Sequence, residues 1–273
     1  MSMRSQTYQY WSCILIDDGS TDGGSELLHS LISHDTRFKL VRNKYPKTFA
    51  GPASARNYGL SLARTNLIAF CDIDDLWHPE KLSRQVQFHL HHDLDISVTA
   101  YSRFIDSSTN NLLMGPSICP PAELSFPKLV LHNSVPMLTV LISRDLAVTR
   151  FEQIPHEDYH FWLSIFRSHT SLKYRCLPEL LSLYRVHSNN TSRTKHLLPL
   201  WTYNVYRRHG LRIPCALSAL ITWCLHHLIL LISDFIFLPI FPTISIKDYI
   251  RQPPRLVNRH NPLYRYTAAM RRP

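Results

Sequence analysis

No two cysteines of this chain stand in a Cys-x-x-Cys spacing; the six present, at 13, 71, 119, 176, 215 and 224, are scattered. Several lie inside apolar runs, as buried free thiols do. That pattern excludes a zinc knuckle and a disulfide framework and fits a reducing compartment. Also lacking is any Lys/Arg run or aromatic-basic repeat of the kind nucleic-acid readers carry, so no nucleic-acid partner is expected. The segment from Met1 to Trp11 is polar and has no apolar signal-peptide core, which argues against secretion. Glycine is scarce as well: seven occur, five of them before residue 60, and no internal repeat is present.

Acid is the scarcer charge, with 20 Asp and Glu against 30 Lys and Arg and a formal net charge of +10. A basic surface attracts nucleotides, nucleic acids and anionic membranes alike, so charge alone selects none of them. Against that background two acidic clusters stand out, Asp17-Asp18-Gly19-Ser20-Thr21-Asp22 and Asp72-Ile73-Asp74-Asp75. Each follows an apolar run, Cys13–Ile16 and Leu67–Cys71, that reads as a buried strand of a parallel sheet. Carboxylates at the carboxyl ends of parallel strands lie where open α/β sheets bind ligands. So much acid in a basic chain calls for a cation, and a divalent metal holding a nucleotide diphosphate is the obvious one.

At 273 residues, 45% of them hydrophobic and 18% charged, the chain suits one large α/β domain with an appendage, or two small domains. Asp22 is placed to cap a helix on which Leu27, Leu28, Leu31 and Ile32 recur at helical spacing. Phe38–Val41 reads as a strand and Ala53–Ala63 as a helix; Pro79 marks another helix start, with Leu82, Val86 and Leu90 on one face. Alternating strands and helices predict a doubly wound parallel sheet. Further strands are expected at Asp95–Phe104, Leu138–Ser143 and Leu180–Val186, and a helix at Asp158–Phe166, with a Pro-rich stretch from Pro116 to Pro136. From Cys215 to Ile232 runs an apolar stretch interrupted by Ser218, Thr222, His226 and His227. It is borderline for a spanning helix, which needs about 20 apolar residues. Arg207, Arg208 and Arg212 before it, and Arg251 and Arg255 after it, suit a helix lying in an anionic interface. A helix buried against the main domain, or a true span, are the other readings.

In an extended or tightly turned segment residues i and i+2 point to the same side, so Asp72 and Asp74 converge on one locus. With substrate phosphates and waters, two carboxylates complete an octahedral Mg²⁺ or Mn²⁺ site. An Asp-x-Asp alone usually means a capped turn; here a strand precedes it, and Trp77, Pro79 and the earlier DDGSTD accompany it. ILIDDGSTD (14–22), GPASARNYGL (51–60), IAFCDIDDLWHPEKL (68–82), HEDYHFWL (156–163) and YRVHSNN (184–190) follow in order. Over residues 5 to 190 the chain resembles the family 2 glycosyltransferases. That resemblance implies the glycosyltransferase-A fold, with a mostly parallel central sheet, and inverting transfer of a sugar from a nucleotide-diphosphate donor. On it the chain divides into a catalytic domain, 1–195, and a helical, membrane-associated C-terminal region, 196–273.

What the resemblance implies residue by residue follows. Asp17 and Asp18 lie beside the base and ribose, Asp18 as the more direct contact, while Asp22 caps a helix. Arg56 and Asn57 face the nucleotide. Asp72 is the ribose- or metal-side carboxylate, Asp74 the direct metal ligand and Asp75 a supporting member. Glu157 and Asp158 form the acceptor-side acidic pair with Asp158 as catalytic base, since single displacement needs a carboxylate to take the acceptor hydroxyl's proton. The same acids at a helix start are also favoured by the helix dipole alone. Trp162 belongs to the acceptor wall or, more safely, the core. Arg185 and His187 fit a segment closing over the diphosphate, where the His is a further metal ligand.

One feature departs from the resemblance: family members begin with a strand and a Pro-x-Tyr-Asn-like turn, whereas here SMRSQTYQYW matches only the end of the helix that follows. The catalytic domain is therefore expected to lack its first strand, exposing apolar surface and sheet edge. The function expected is sugar transfer to a glycan or lipid-linked acceptor in cell-envelope polysaccharide synthesis, on the cytoplasmic face of the inner membrane. The alternative is an inactive relative of the same fold acting as a binding or scaffold protein. A haloacid-dehalogenase-like phosphatase would need its Asp-x-Asp on the first strand and a later Gly-Asp pair, and neither is present.

Overall fold

The structure is a computed structural model describing residues 2–44, 52–106, 111–186, 197–237 and 243–257. Its first unit is β1 (Cys13–Asp17), α1 (Gly24–Ile32) and β2 (Phe38–Arg42), the two strands pairing in parallel from Cys13–Phe38 to Asp17–Arg42. Asp22 Oδ1 accepts from Gly24 N at 3.0 Å, so the expected capping aspartate does start α1. Then come α2 (Pro52–Leu62), β3 (Leu67–Ala69), β4 (Leu76–Trp77) and α3 (Lys81–His91). The middle holds β5 (Ile96–Asp106), β6 (Asn111–Ile118), α4 (Phe126–Leu131), β7 (Leu141–Ser143), α5 (Glu157–Ser168) and β8 (Tyr174–Arg185). The C-terminal part is α6 (Leu198–Arg208), α7 (Ile213–Phe237), β9 (Thr243–Ser245) and α8 (Ile246–Arg251).

The sheet is mixed, which corrects the expectation of a mostly parallel one. In the seven-stranded sheet only β5 and β8 run parallel; β5 also pairs antiparallel with β6 and β7, and β3–β7, β4–β8 and β6–β9 are antiparallel. The physical reason lies in the connections. The βαβ alternation that dictates parallel pairing stops after α3, and short links such as the one joining β5 to β6 suit antiparallel neighbours. Pro116 sits in β6 beside the register shift opposite Ser102–Phe104, an irregularity where a missing N–H is tolerated.

The N-terminal unit stands apart from the large sheet. β1 and β3 do not pair, and β1–β2 forms a separate two-stranded sheet. All five residues of β1, four of them apolar, are half-buried, α1 buries none, and Leu27 and Leu31 are exposed.

The core sits between the large sheet and α5, whose Tyr159, Phe161, Trp162, Leu163 and Ile165 are fully buried. Each contributes roughly 1.5–3 kcal/mol relative to exposure, and Trp162 is core as the safer reading held. Val205 and Tyr206 of α6 and Ala216 and Ala219 of α7 belong to this same core. β9 joins the large sheet through β6, so the C-terminal region is helical but also supplies a strand.

One buried charge has a pH signature. Lys81 is fully buried, donates to Gln85 Oε1 at 2.6 Å and lies 4.1 Å from the Trp77 ring centroid. Burial pulls its ammonium down to about 7. Because the folded pKa is depressed, the unfolded chain binds more protons between that value and the ordinary lysine range, so stability rises with pH across that window. The thermal midpoint should climb as pH is raised from about 7 towards 10, and climb less in Lys81→Met; parallel profiles for the two proteins would refute the assignment.

Candidate functional site

β1 delivers Asp17 and Asp18 to a turn made by Gly19, whose φ of 97° favours glycine. Asp17 Oδ1 accepts from Gly19 N at 3.2 Å and Ser20 N at 2.8 Å. The Ser20 amide leads in holding this carboxyl below the usual range. Asp17 thus builds the turn, and Asp18 is the exposed member, accepting from Asn43 Nδ2 at 2.6 Å. Asn43, just past β2, also bonds Ser54 Oγ on α2 at 2.9 Å. The sequence reading missed Asn43; its only sequence signal is its place directly after a strand.

Two residues beyond Ser54, Arg56 is the hub of the site. Its Nη1 donates to Glu157 Oε1 at 2.7 Å and its Nη2 lies 3.5 Å from Asp72 Oδ1. Burial disfavours the guanidinium's charge, but the fields of Asp72, Glu157 and Asp158 outweigh it and raise the pKa. Segments far apart in sequence therefore meet on one cation. The neighbouring Asn57 is committed to the frame: its Nδ2 donates to Phe151 O at 2.8 Å and its Oδ1 accepts from Phe151 N at 2.9 Å. It ties α2 to the loop before α5.

The second acidic cluster is a turn, with Asp75 N donating to Asp72 O at 3.1 Å. The Asp72 side chain is about half exposed, Asp74 is half-buried and Asp75 is buried. Burial, followed by the negative charges of Asp72 and Asp74, pushes Asp75 up to about 7, against the opposing hydrogen bond from Arg185 N. That bond is 3.0 Å long, and Arg185 Nε donates to Asp74 O at 2.8 Å while its Nη1 pairs with Asp106. Arg185 therefore latches the Asp72–Asp75 turn onto the end of β8; expected as a diphosphate contact, it already has this structural task. His187 lies outside the described residues.

Glu157 and Asp158 open α5. His156 precedes them with φ 60° and ψ 41°, a left-handed conformation in a non-glycine residue that stores strain where the acids are aimed. Its ring packs between Trp201 and Trp223, at 5.9 and 6.3 Å. Burial first, then Asp158, raises the Glu157 pKa, with Arg56 opposing. Asp158 Oδ1 accepts from Tyr159 N at 2.7 Å, and Oδ2 has Asn133 Nδ2 at 3.5 Å. Asn133, also missed from sequence, keeps a buried Oδ1 that has no hydrogen-bond partner among the described residues.

Asp72 and Asp74 offer the hard oxygen donors that Mg²⁺ or Mn²⁺ takes. Among the described residues no group of three such side chains converges to hold a cation alone. A donor set of one or two carboxylates fits Mg²⁺, which is usually held that way together with substrate phosphates.

A family model, Glycosyl transferase family 2, matches residues 1–173. An uncharacterized glycosyltransferase of Haemophilus influenzae is 33% identical over 208 residues, covering 76% of this chain and 80% of that protein. UDP-Glc:alpha-D-GlcNAc-diphosphoundecaprenol beta-1,3-glucosyltransferase WfgD of Escherichia coli is 31% identical over 71% of this chain and 73% of its own length. Among solved structures, S. aureus TarS 1-349 in complex with UDP-GlcNAc aligns with a TM-score of 0.59 at 17% identity, over 76% of this chain. This chain spans 59% of that structure, less than two thirds, and at that identity the likeness speaks for the fold alone. The fold is the glycosyltransferase-A, nucleotide-diphospho-sugar transferase fold. With the family model covering most of the chain and relatives above 30% identity along most of their length, the protein belongs to glycosyltransferase family 2.

Proposed function

We propose that this protein transfers a sugar, with inversion, from a nucleotide-diphosphate sugar to a lipid-linked acceptor in cell-envelope polysaccharide synthesis. The observation that carries the reading is Arg56, which joins Asp72 of the donor-side cluster to Glu157 of the acceptor-side pair. Donor and acceptor chemistry are thereby held against each other. Asp18 and Asn43 are placed for the nucleoside, and Asp72 and Asp74 for the diphosphate end. Asp158 takes the proton of the attacking hydroxyl as the new C–O bond forms at the anomeric carbon and the bond to the diphosphate breaks. Asp74, with His187 by resemblance, would hold Mg²⁺ or Mn²⁺, which when bound would neutralise charge on the departing diphosphate. The names of the relatives support the acceptor class, since WfgD is named for a diphosphoundecaprenol-linked sugar.

Titration of the protein with UDP and UDP-sugars, with and without Mn²⁺, followed by a transfer assay on diphosphoprenyl-linked sugars, tests this. Mn²⁺-dependent donor binding with transfer is expected. Absence of any UDP affinity would sink the enzyme reading, and donor binding without turnover across a panel of acceptors would favour the inactive relative.

The lipid-linked acceptor also supports a peripheral place on the cytoplasmic face of the membrane. Among the described residues no helix is long and apolar enough to cross a membrane. α7 turns Ala216, Ala219 and Trp223 inward and leaves Ile213, Leu217, Ile221, Leu225 and Leu228 each about half exposed along its other side. Such a row beside arginines suits a helix lying on an anionic surface. The double variant Leu217→Glu/Ile221→Glu should shift the protein from pelleted anionic vesicles to the supernatant without altering its melting temperature. Unchanged co-sedimentation would remove α7 as the contact.

A further inference from the structure

A cavity lies between the loop entering α5 and the helix α6. It has a volume of about 460 Å³ and is lined by Ile154, Pro155, Trp201, Asn204, Arg207 and Arg208. None of the donor-side residues borders it. Its walls continue into the site: Ile154 and Pro155 run directly into the left-handed His156 that starts α5, and the His156 ring stacks edge-on against Trp201.

The cavity combines an apolar wall with two guanidinium groups of unequal standing. Arg208 Nη1 is held by Glu152 Oε2 at 3.0 Å, so its charge is largely matched. Arg207 Nη1 donates to the Leu211 carbonyl at 2.6 Å, and among the described residues no carboxylate pairs with it. A guanidinium offers five donors in a planar fork suited to phosphate oxygens. Just past Arg207, α7 begins, and with it the half-exposed apolar row from Ile213 to Leu228.

We infer that this cavity receives the diphosphate of a prenyl-diphosphate-linked acceptor, gripped by Arg207 with Arg208 beside it, while Trp201 and Ile154 take the first part of the prenyl chain. This rests on the reading of the protein as a transferase to a lipid-linked acceptor. Where that acceptor carries a single sugar, one ring separates the attacking hydroxyl from the anomeric diphosphate. With the hydroxyl at Asp158, the anion must lie close to the start of α5, on the side away from the donor cluster. Ile154 and Pro155 bring one wall of the cavity to within a few residues of the Glu157 and Asp158 pair, and α7 with its apolar row begins soon after Arg208 on the other wall. A free anion would have no use for the apolar wall, and a membrane lipid headgroup would have no reason to enter beside the acids.

The test uses the full chain saturated with UDP and Mn²⁺, so that the donor site is filled, and titrates farnesyl diphosphate by calorimetry. Inorganic diphosphate and phosphatidylglycerol vesicles are run in parallel. Farnesyl diphosphate should bind more tightly than inorganic diphosphate, and Arg207→Ala should weaken it about tenfold or more, the loss of a charge-assisted contact. Arg208→Ala should weaken it less, because Glu152 shares that charge. Both variants should keep the UDP affinity and melting temperature of the parent. Unchanged farnesyl diphosphate affinity in Arg207→Ala, equal affinity for inorganic diphosphate, or equally effective competition by phosphatidylglycerol vesicles would each overturn the assignment. A parent protein with no UDP affinity would instead refute the transferase reading, which separates the two failures.

Discussion

Asp158→Asn should lower turnover by about 10²–10⁴-fold, the range expected for loss of a general base, and leave UDP affinity unchanged. The carboxylate sits at the first turn of α5, accepting from Tyr159 N at 2.7 Å, with Asn133 Nδ2 at 3.5 Å on its other oxygen. An amide of the same shape preserves the packing but cannot take a proton from an acceptor hydroxyl. Asp74→Asn gives the contrasting result. It lies in the turn latched by Arg185, away from α5, and its loss should weaken Mn²⁺-dependent UDP binding as well as turnover. Measuring UDP affinity with and without Mn²⁺ beside kcat for both variants separates the roles. Equal loss of donor affinity in the two would dissolve the division between a base and a metal-side carboxylate.

What the sequence made legible and what it hid divide along a physical line. DDGSTD and DIDD were readable because each closes a strand with a local turn, and turn chemistry is written in adjacent residues: Asp17 bonds Gly19 and Ser20, and Asp22 bonds Gly24. The acid pair at 157–158 was readable for the same reason, as charge at a helix start. Asn43 and Asn133 were not, because an uncharged amide gains its role only from a neighbour brought up by the fold, such as Asp18 from 25 residues away. Arg185 carries the right chemistry for phosphate, but its partners Asp74 and Asp106 become visible only once β8 and β5 lie side by side. The direction of the strands was misjudged for a related reason. Hydrophobic runs reveal a strand's burial, whereas its direction is set by the length of the connections.

Replacing Arg56 with Met should damage stability and catalysis together, and the damage should depend on pH. Arg56 and Glu157 are both mostly buried, with side-chain exposures of 16% and 20%, and Asp72 stands 3.5 Å away on the more open side. Removing one member of a buried pair strands its partner, which costs about 3–5 kcal/mol at full burial and on the order of 2 kcal/mol at this exposure. The sign with pH follows from Glu157, whose folded pKa is already raised, by burial first and Asp158 second, with Arg56 opposing. Without the guanidinium that pKa rises further. A carboxyl with a raised folded pKa favours the folded state below its unfolded pKa and loses that advantage as pH climbs through the folded value. The stability deficit of Arg56→Met should therefore be small near pH 5 and grow towards pH 8 in denaturant unfolding. Turnover should stay low even at the acidic end, because restoring the fold by protonating Glu157 does not restore the link between Asp72 and α5. Arg56→Lys, which keeps the charge but offers a point contact in place of a fork, should recover most of the stability and little of the turnover. A deficit of the same size at both pH values would show that Glu157 is not the group left uncompensated. Full activity in Arg56→Lys would show that charge alone, without the two-sided geometry, joins donor to acceptor.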